Sequence, residues 1–134
     1  MFEFLEKHKM KLVYWPLVLY WLILLTATSL PGKDLPNLGV SDKIEHFTAY
    51  FILAVLLNIS LLIQNKFKLL KAKASQAVLL IIAVYAALDE LHQLFIPGRS
   101  CDILDWTADM AAAIAGVLIV IILVKGFRFK TAKP

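Results

Sequence analysis

A short polar stretch interrupts apolar sequence in the second half of this 134-residue chain. It consists of Asp89-Glu90-Leu91-His92-Gln93, then Pro97-Gly98-Arg99-Ser100, then Asp102, Asp105 and Asp109. An ionised carboxylate near hydrocarbon is strongly destabilised unless it is paired or hydrated, so charged residues within apolar segments indicate a functional site. The rest of the chain is interpreted as the frame that brings further polar residues to this stretch.

Proton transfer is the first chemistry that these residue types suggest. Glu90, next to Asp89, is the candidate general acid or base, because a low dielectric and neighbouring carboxylates favour a carboxyl group that exchanges protons near neutral pH. The alternative is that both carboxylates are buried partners of Arg99 or Lys43 and hold a helix against a loop. The residue types allow both interpretations.

Two further residues complete the predicted catalytic set. His46 is the predicted proton partner of Glu90, although its ring could instead hydrogen-bond a carboxylate and join two helices. Asp105 is predicted to orient the reacting groups. Because converging carboxylates repel one another unless they are protonated, paired or metal-bound, a divalent cation is the alternative cofactor hypothesis. Its predicted ligands are His46, Glu90, Asp105 and Asp109.

Arg99 is the main candidate for substrate binding. It follows a Pro-Gly turn, and its planar guanidinium suits a phosphate or carboxylate. The alternative is a structural salt bridge to Asp102 or Asp105. The other predicted substrate contacts are Gln93, Tyr50 and Lys43. A nucleophile at Ser100 or Cys101 is disfavoured, because no G-x-S-x-G sequence precedes them.

Four apolar blocks must position these residues, and we predict helices over about 12–30, 44–64, 76–95 and 104–124. Each block has about the ~20 residues needed to cross ~30 Å of hydrocarbon at ~1.5 Å per residue. The first is expected to be a retained helix, because its apolar run exceeds the roughly 7–15 residues of a signal peptide. With 60% hydrophobic residues, the predicted fold is an all-α polytopic membrane protein. It is an antiparallel bundle of four transmembrane helices that forms one domain over 1–134.

The basic residues predict the orientation of this bundle. Most lie in the leader, in 66–73 and in the tail after 125, which four spans place on one side. By the positive-inside rule that side is cytoplasmic, so we predict a multi-pass protein of the inner cell membrane with both termini inside. The net charge of +4 then reflects topology and lipid headgroup contact, and nucleic acid is not an expected partner. The start of the second helix, the end of the third and the start of the fourth converge on the extracytoplasmic side, where the polar site is predicted.

At these residues the chain resembles the VanZ-like membrane family, and the resemblance covers nearly the whole chain. The matching residues are Leu30-Pro31 with Pro36, then Asp42-Lys43-x-x-His46-Phe47 with Tyr50 and Leu53, then Glu90 and Gln93, then Pro97-Gly98-Arg99-Ser100, and finally Asp105, Ala108-Asp109 and Gly116. The chain departs from the family pattern at Asp109, where Asn is frequent, and at Ala112-Ala113, where glycine is common. A position that accepts Asn argues against a strict metal ligand there.

The resemblance implies four helices and a role at the cell envelope, in a family named for a protein linked to teicoplanin resistance. The leading function hypothesis is an enzyme-like site that acts on an amphipathic molecule of the envelope, such as a lipid carrier, a lipid-linked wall precursor or a lipoglycopeptide antibiotic. Membrane lipids are the other expected partners. A role in glycopeptide resistance follows from the same resemblance. It implies no particular reaction, so the alternative function is a non-catalytic binding or shielding protein at the membrane surface.

Overall fold

Helices account for the regular structure in the computed structural model, which describes residues 2–34, 39 and 41–131; no strand occurs in these ranges. In chain order the elements are α1 (Phe2–Lys7), a π-helical turn (Met10–Tyr14), α2 (Trp15–Ser29), a 3-10 turn (Gly32–Asp34), α3 (Asp42–Ile63), α4 (Lys68–Ala72), α5 (Ala74–Gln93) and α6 (Ile103–Thr131). The predicted all-α class is confirmed.

Four helical stretches in the described part of the chain are long and apolar enough to cross a membrane. They are Met10–Ser29, Asp42–Ile63, Ala74–Gln93 and Ile103–Gly126. The predicted membrane-helical class is therefore confirmed. The last helix continues to Thr131, beyond the predicted end at 124, because the prediction followed apolar length and a helix can continue into charged sequence. The antiparallel order of the helices and the single-domain boundary stay predictions.

The wide π-helical turn before α2 accompanies a proline. Pro16 lies in the first turn of α2 and has no N–H to donate to the carbonyl of Leu12, four residues earlier. Its ring also clashes with a carbonyl at that position in a regular helix, and a π turn relieves both problems. Tyr20, one turn further on, donates a hydrogen bond to the carbonyl of Ala49 at 2.9 Å and so attaches α2 to α3.

Each of the four long helices contributes one apolar face to a common core. The core includes Leu17 and Leu24 from α2, Tyr50, Leu53, Ala54 and Leu57 from α3, Val78, Ile82 and Ala86 from α5, and Ala112, Ala113 and Val117 from α6. The opposite faces expose large apolar side chains such as Leu19, Leu80 and Ile122. Lipid tails solvate such faces, so their exposure agrees with a membrane environment.

Small residues let α6 approach α3 closely. A Cβ added at Gly116 would lie 2.8 Å from the Cβ of Ala54 and 3.0 Å from the carbonyl oxygen of Phe51. Only glycine therefore fits at this position without a shift of one helix. Ala112 and Ala113 are also fully buried. This close approach brings the first turns of α3 and α6 together, where the polar residues lie.

The segment after α2 packs against the turn after α5. The Gly32 N–H donates to the Pro97 carbonyl at 3.2 Å. A Cβ at Gly32 would lie 2.5 Å from the carbonyl oxygen of Gly98, which itself has a positive φ of 76°. Gly32 is thus required by this backbone contact and Gly98 by its positive φ. The contact places Arg99 beside the end of α2. Pro36, one of the residues that carry the family resemblance, lies outside the described residues.

The sequence Ser41-Asp42-Lys43-Ile44-Glu45 resembles a capping box at the start of α3. Ser41 precedes the helix, but its side chain makes no capping hydrogen bond. Asp42 and Glu45 lie in the first turn, where carboxylates interact favourably with the helix dipole. Both side chains are consequently available at the polar end of the bundle.

Candidate functional site

A histidine and two carboxylates from three helices form the centre of the polar region. His46 from α3 lies with its Nδ1 3.1 Å from Asp109 Oδ1 on α6 and 4.0 Å from Glu90 Oε1 on α5. All three residues are buried, with 8%, 1% and 4% of their surface exposed, respectively. Because an ionised carboxylate only accepts hydrogen bonds, Nδ1 carries the proton when Asp109 is charged. We call these three residues the His46 triad.

The His46 ring also faces a second carboxylate. Its Nε2 lies 4.0 Å from Asp42 Oδ1, one helical turn earlier on α3. With Nδ1 bonded to Asp109, the Nε2 atom keeps a lone pair that can take up a proton. The histidine thus joins α3 to α6, as one sequence interpretation proposed, and its second nitrogen points toward a different group.

Glu90 is held by the loop that precedes α6. Its Oε2 accepts a hydrogen bond of 2.9 Å from the backbone N–H of Asp102. Its Oε1 is buried and has no hydrogen-bond partner among the described residues, and the same is true of Asp109 Oδ2. Neither Arg99 nor Lys43 forms an ion pair with Glu90 in the described part of the chain, in contrast to the purely structural interpretation of this residue.

Lys43 neutralises two aspartates beside the triad. Its Nζ lies 3.0 Å from Asp102 Oδ2 and 2.9 Å from Asp105 Oδ1. Asp102 Oδ1 also accepts a hydrogen bond from the Leu104 N–H at 2.8 Å, as an N-cap residue does. This backbone bond, followed by the Lys43 ammonium, lowers the pKa of the Asp102 carboxyl below its usual 3.8. The predicted substrate contact Lys43 is therefore occupied by carboxylates, and the predicted catalytic residue Asp105 is its ion-pair partner.

An aromatic group surrounds Asp89. Tyr50 donates to Asp89 Oδ2 at 3.1 Å, and its ring is parallel to that of His46, with 6.4 Å between centroids. Tyr85 packs against Tyr50 on one side and Trp21 on the other. The predicted substrate contact Tyr50 thus binds a carboxylate. Gln93, a further predicted contact, is buried and its Nε2 lacks a partner among the described residues.

A cavity of about 130 Å³, with charged side chains among an otherwise largely apolar lining, opens between α2 and α3. It is lined by Leu24, Ala27, Thr28, Asp42, Glu45, His46, Ala49, Tyr50 and Arg99. Arg99 donates from Nη2 to the Ala27 carbonyl at 3.1 Å, while its Nε is buried without a partner among the described residues. The alternative salt bridge to Asp102 or Asp105 is not formed, because Lys43 holds both carboxylates. We call this space the α2–α3 cavity.

A second cavity, of about 310 Å³, lies on the other side of the triad between α5 and α6. Its lining consists of Ala87, Glu90, Leu91, Cys101, Asp102, Ile103 and Trp106. Trp106 is fixed by a hydrogen bond of 3.2 Å from its Nε1 to the Ala83 carbonyl. His46 therefore lines the α2–α3 cavity, and Glu90 lines this more apolar cavity.

The predicted metal ligands fall into two overlapping groups. Ligand atoms of His46, Glu90 and Asp109 lie within 4.8 Å of one another, and so do those of Asp42, His46 and Asp105. An imidazole with two carboxylates is a donor set that divalent cations accept. The unpartnered Glu90 Oε1 and Asp109 Oδ2 fit such an ion. The set of four predicted ligands does not form one centre, because Lys43 holds Asp105.

Several contributors to this region were missed by sequence reasoning. They are the Asp102 N–H that holds Glu90, the carbonyl of Ala27 that holds Arg99, and Trp106 beside Glu90. The first two are backbone groups, which carry no sequence signal. Asp42 and Glu45, which helical spacing places on the same face of α3 as His46, line the α2–α3 cavity with it. His92, although part of the polar stretch in the sequence, lies apart from the triad, with its Nε2 3.2 Å from Ser29 Oγ.

Comparison with known proteins gives one match. The model of the VanZ/LLP1 family matches residues 10–124. This range includes every residue of the triad and of both cavities, and all but the last two residues of the four candidate membrane spans. No curated protein and no solved structure matches the chain.

Proposed function

Because the chain belongs to the VanZ-like family of membrane proteins, we propose that its His46 triad is an enzyme-like site that acts on an amphipathic molecule of the cell envelope. The proposed substrates are a lipid carrier, a lipid-linked wall precursor or a lipoglycopeptide antibiotic such as teicoplanin. We place the site at the outer leaflet of the inner cell membrane, with both termini in the cytoplasm. Chemistry on the last of these substrates would give a role in glycopeptide resistance.

The contacts at the opposite end of the bundle support this orientation. The Asn65 amide, just after α3, bonds to the Glu6 carboxylate of α1, and Lys71 of α4 donates to Asn65 Oδ1 at 2.7 Å. The N-terminal helix and the lysine-rich segment after α3 therefore lie together. Two basic segments on one side of the membrane are what the positive-inside rule requires of a cytoplasmic face.

The observation that carries the proposal is the pair of unsatisfied carboxylate oxygens in the triad. Buried polar atoms almost always have hydrogen-bond partners, and exceptions concentrate at sites that bind or react. Glu90 Oε1 lies 4.0 Å from His46 Nδ1 and has no partner of its own among the described residues. A proton transferred from the imidazole to Glu90 Oε1 would satisfy this oxygen. Return of the proton to the imidazole would leave the oxygen without a partner again.

In the proposed mechanism, Glu90 is the acid or base and His46 is its proton partner. Asp109 fixes the ring through Nδ1, so that Nε2 faces Asp42 in the α2–α3 cavity. When a substrate group in that cavity gives a proton to Nε2, the ring becomes an imidazolium, and its Nδ1 proton passes to Glu90 Oε1, which leaves a neutral ring. Arg99 contacts the anionic part of the substrate. Asp105 acts indirectly, because it holds Lys43 beside the triad and so sets the local charge.

The proposal is tested by the substitution Glu90→Gln, which keeps the size of the side chain and removes its proton exchange. Envelope lipids and wall precursors from cells that express wild type or Glu90→Gln at equal levels are compared by mass spectrometry. We expect a covalently altered species with wild type that disappears in the variant. Glu6→Gln, at the other end of the bundle, is the matched control and should behave as wild type. An altered species that persists in folded Glu90→Gln would refute the assignment.

A divalent cation bound by the triad is the alternative way to balance the charges of Glu90 and Asp109. This alternative predicts a bound metal in the purified protein. Metal analysis of purified protein would then find about one ion per chain in wild type, lost in Asp109→Ala. Such an ion would replace the proton exchange between Glu90 and His46, because both residues would be ligands. Protein that is active without a stoichiometric metal would leave proton exchange as the mechanism.

A binding function without chemistry is favoured by one feature of the α2–α3 cavity. Asp42 and Glu45 give it a negative wall, which attracts cationic amphipathic ligands. A protein of this kind would shield or sequester its ligand in a fixed stoichiometric ratio. Protection that saturates at one ligand per chain, with no altered species in the mass spectra, would support this function over the enzyme-like one.

A further inference from the structure

The α2–α3 cavity carries charges of both signs that do not pair with each other. Arg99 forms no ion pair with any described residue, and its buried Nε has no partner. Glu45 lines the same cavity, and the charged or titratable group that Asp42 approaches among the described residues is the His46 ring, at 4.0 Å. Opposite charges around one small cavity would ordinarily attract each other into direct contact, so their separation leaves a gap that a dipolar ligand can bridge.

An apolar groove adjoins this cavity along the outer face of α2. It has a volume of about 450 Å³ and is lined by Leu19, Leu22, Ile23, Thr26, Ala27 and Leu30. Ala27 belongs to both linings, so the cavity and the apolar groove adjoin each other at this residue. The large side chains of the groove are exposed, as a surface that contacts hydrocarbon chains should be.

From this geometry we infer that the α2–α3 cavity binds the headgroup of a lipid that carries both a phosphate and a primary ammonium group, with a hydrocarbon chain in the groove along α2. The phosphate contacts the Arg99 guanidinium, and the ammonium contacts Asp42 and Glu45. The inference rests on the proposed function, because it names the chemical class of the molecule on which the site acts.

Charge complementarity selects this class over simpler headgroups. An anionic headgroup without an amine would satisfy Arg99 but would lie against two carboxylates. A trimethylated ammonium keeps its charge but has no N–H to donate to those carboxylates, and it is bulkier in a cavity of about 130 Å³. A primary ammonium linked to a phosphate satisfies both walls. Its ammonium protons also lie beside His46 Nε2, the atom that we propose accepts a proton.

The inference is tested by lipid titration of the purified full-length protein in detergent, with native mass spectrometry as the readout. Phosphatidylethanolamine, phosphatidylcholine and phosphatidylglycerol with identical chains are compared. We expect phosphatidylethanolamine to bind roughly tenfold more tightly than either of the others, which is the factor that one charge-assisted hydrogen bond provides.

Substitutions of Arg99 and of the Asp42–Glu45 pair test the contacts with the phosphate and with the ammonium separately. Arg99→Gln should weaken phosphatidylethanolamine and phosphatidylglycerol alike by about tenfold, and Arg99→Lys should restore part of the affinity. The double variant Asp42→Asn, Glu45→Gln should abolish the preference for phosphatidylethanolamine and leave phosphatidylglycerol binding equal or tighter. Lys33→Gln is the control for Arg99→Gln, since it removes one exposed charge outside the cavity, and it should leave all three affinities unchanged.

Equal affinity of wild type for the three lipids, or unchanged affinity of folded Arg99→Gln, would overturn the inference. Glu90→Gln distinguishes this failure from failure of the proposed function. A wild-type preference for phosphatidylethanolamine that survives in Glu90→Gln, without an altered lipid in cells, supports the binding site and refutes the chemistry. If the molecule altered in cells carries no ammonium–phosphate headgroup, the result supports the chemistry and refutes the inferred binding site.

Discussion

The polar residues of this protein are unequal in how far their hydrogen bonds are satisfied. Asp102 and Asp105 share the Lys43 ammonium, and Asp89 accepts from Tyr50. Glu90 and Asp109 instead each keep one buried oxygen without a partner among the described residues. An unsatisfied buried oxygen destabilises the folded protein, so a residue with a purely structural role is expected to have all its hydrogen bonds satisfied. We therefore assign structure to the first group and reactivity to the second.

Substitution of Asp109 should separate its structural contact from its charge. Asp109→Ala removes the partner of a buried imidazole and should lower the free energy of unfolding by about 3–5 kcal/mol. Asp109→Asn keeps an oxygen that can accept from His46 Nδ1, so its loss should be about 1 kcal/mol. Reversible unfolding in detergent micelles measures both values. Equal stability of Asp109→Ala and wild type would mean that the His46–Asp109 contact is not formed.

The Asp102 carboxyl should account for part of the stability that the protein loses at acidic pH. The pKa of its carboxyl is lowered in the folded state by the Leu104 N–H and by Lys43. A depressed pKa adds stability above the unfolded-state pKa, and this stability is lost as the pH falls through the folded-state value. Between about pH 5 and pH 2, wild type should therefore lose more stability than Asp102→Asn, whose amide keeps the cap but does not titrate. Parallel stability curves over that range would contradict the assigned pairing with Lys43.

At the scale of elements, the packing of α6 on α3 positions the triad. His46 lies on α3 and Asp109 on α6, so their 3.1 Å contact depends on the separation of these two helices. Gly116, about two turns beyond Asp109, sets that separation because it has no side chain to hold the helices apart. A change at this glycine should therefore affect the site without altering any of its residues.

Two glycines of α6 offer a matched test of this packing. The Cβ of Gly116→Ala would lie 2.8 Å from Ala54 Cβ and 3.0 Å from the Phe51 carbonyl oxygen. We expect a loss of about 1–3 kcal/mol, as for other overpacked sites, with reduced activity. Gly126→Ala meets no atom within 4 Å and should be neutral or stabilising by up to about 1 kcal/mol. The same unfolding assay compares them, and equal effects would contradict close packing at Gly116.

The helices could be predicted from sequence, but several partners of the site residues could not. Apolar length alone located the four spans, and the direction of each helix predicted that His46, Glu90 and Asp109 come together. The residue types alone were compatible with two roles for Arg99, contact with a substrate anion or a salt bridge to Asp102 or Asp105. The backbone contact between Gly32 and Gly98 settles where Arg99 lies, beside the Ala27 carbonyl. Such loop contacts depend on three-dimensional geometry and leave no periodic pattern in the sequence.

At the scale of the whole molecule, the polar site and the lysine-rich segment after α3 lie at different ends. The triad, both site cavities and Arg99 involve the start of α3, the end of α5 and the start of α6. The contacts of Glu6 with Asn65 and of Asn65 with Lys71 involve the end of α3 and the segment after it. A protein with this division can meet an envelope molecule at one face while its lysines contact anionic lipid headgroups at the other.

The orientation can be tested with the chain's single cysteine, Cys101, which is exposed beside Glu90. A membrane-impermeant thiol reagent should label it in intact cells, because we place this end outside. In a Cys101→Ser background, Lys68→Cys should be labelled only after the membrane is permeabilised, because positive charge favours the cytoplasmic side. The opposite pattern would place the site inside and exclude an outer-leaflet substrate.

The central claim, that the triad performs chemistry, is tested most directly by counting turnovers. Purified wild type and Glu90→Gln are reconstituted at equal amounts in vesicles made from envelope lipid extract, and the lipids are followed over time by mass spectrometry. The account predicts a mass-shifted species that accumulates to more than one molecule per wild-type chain and is absent with Glu90→Gln. A wild-type sample whose lipids stay unaltered, or a product that Glu90→Gln forms equally well, would contradict it.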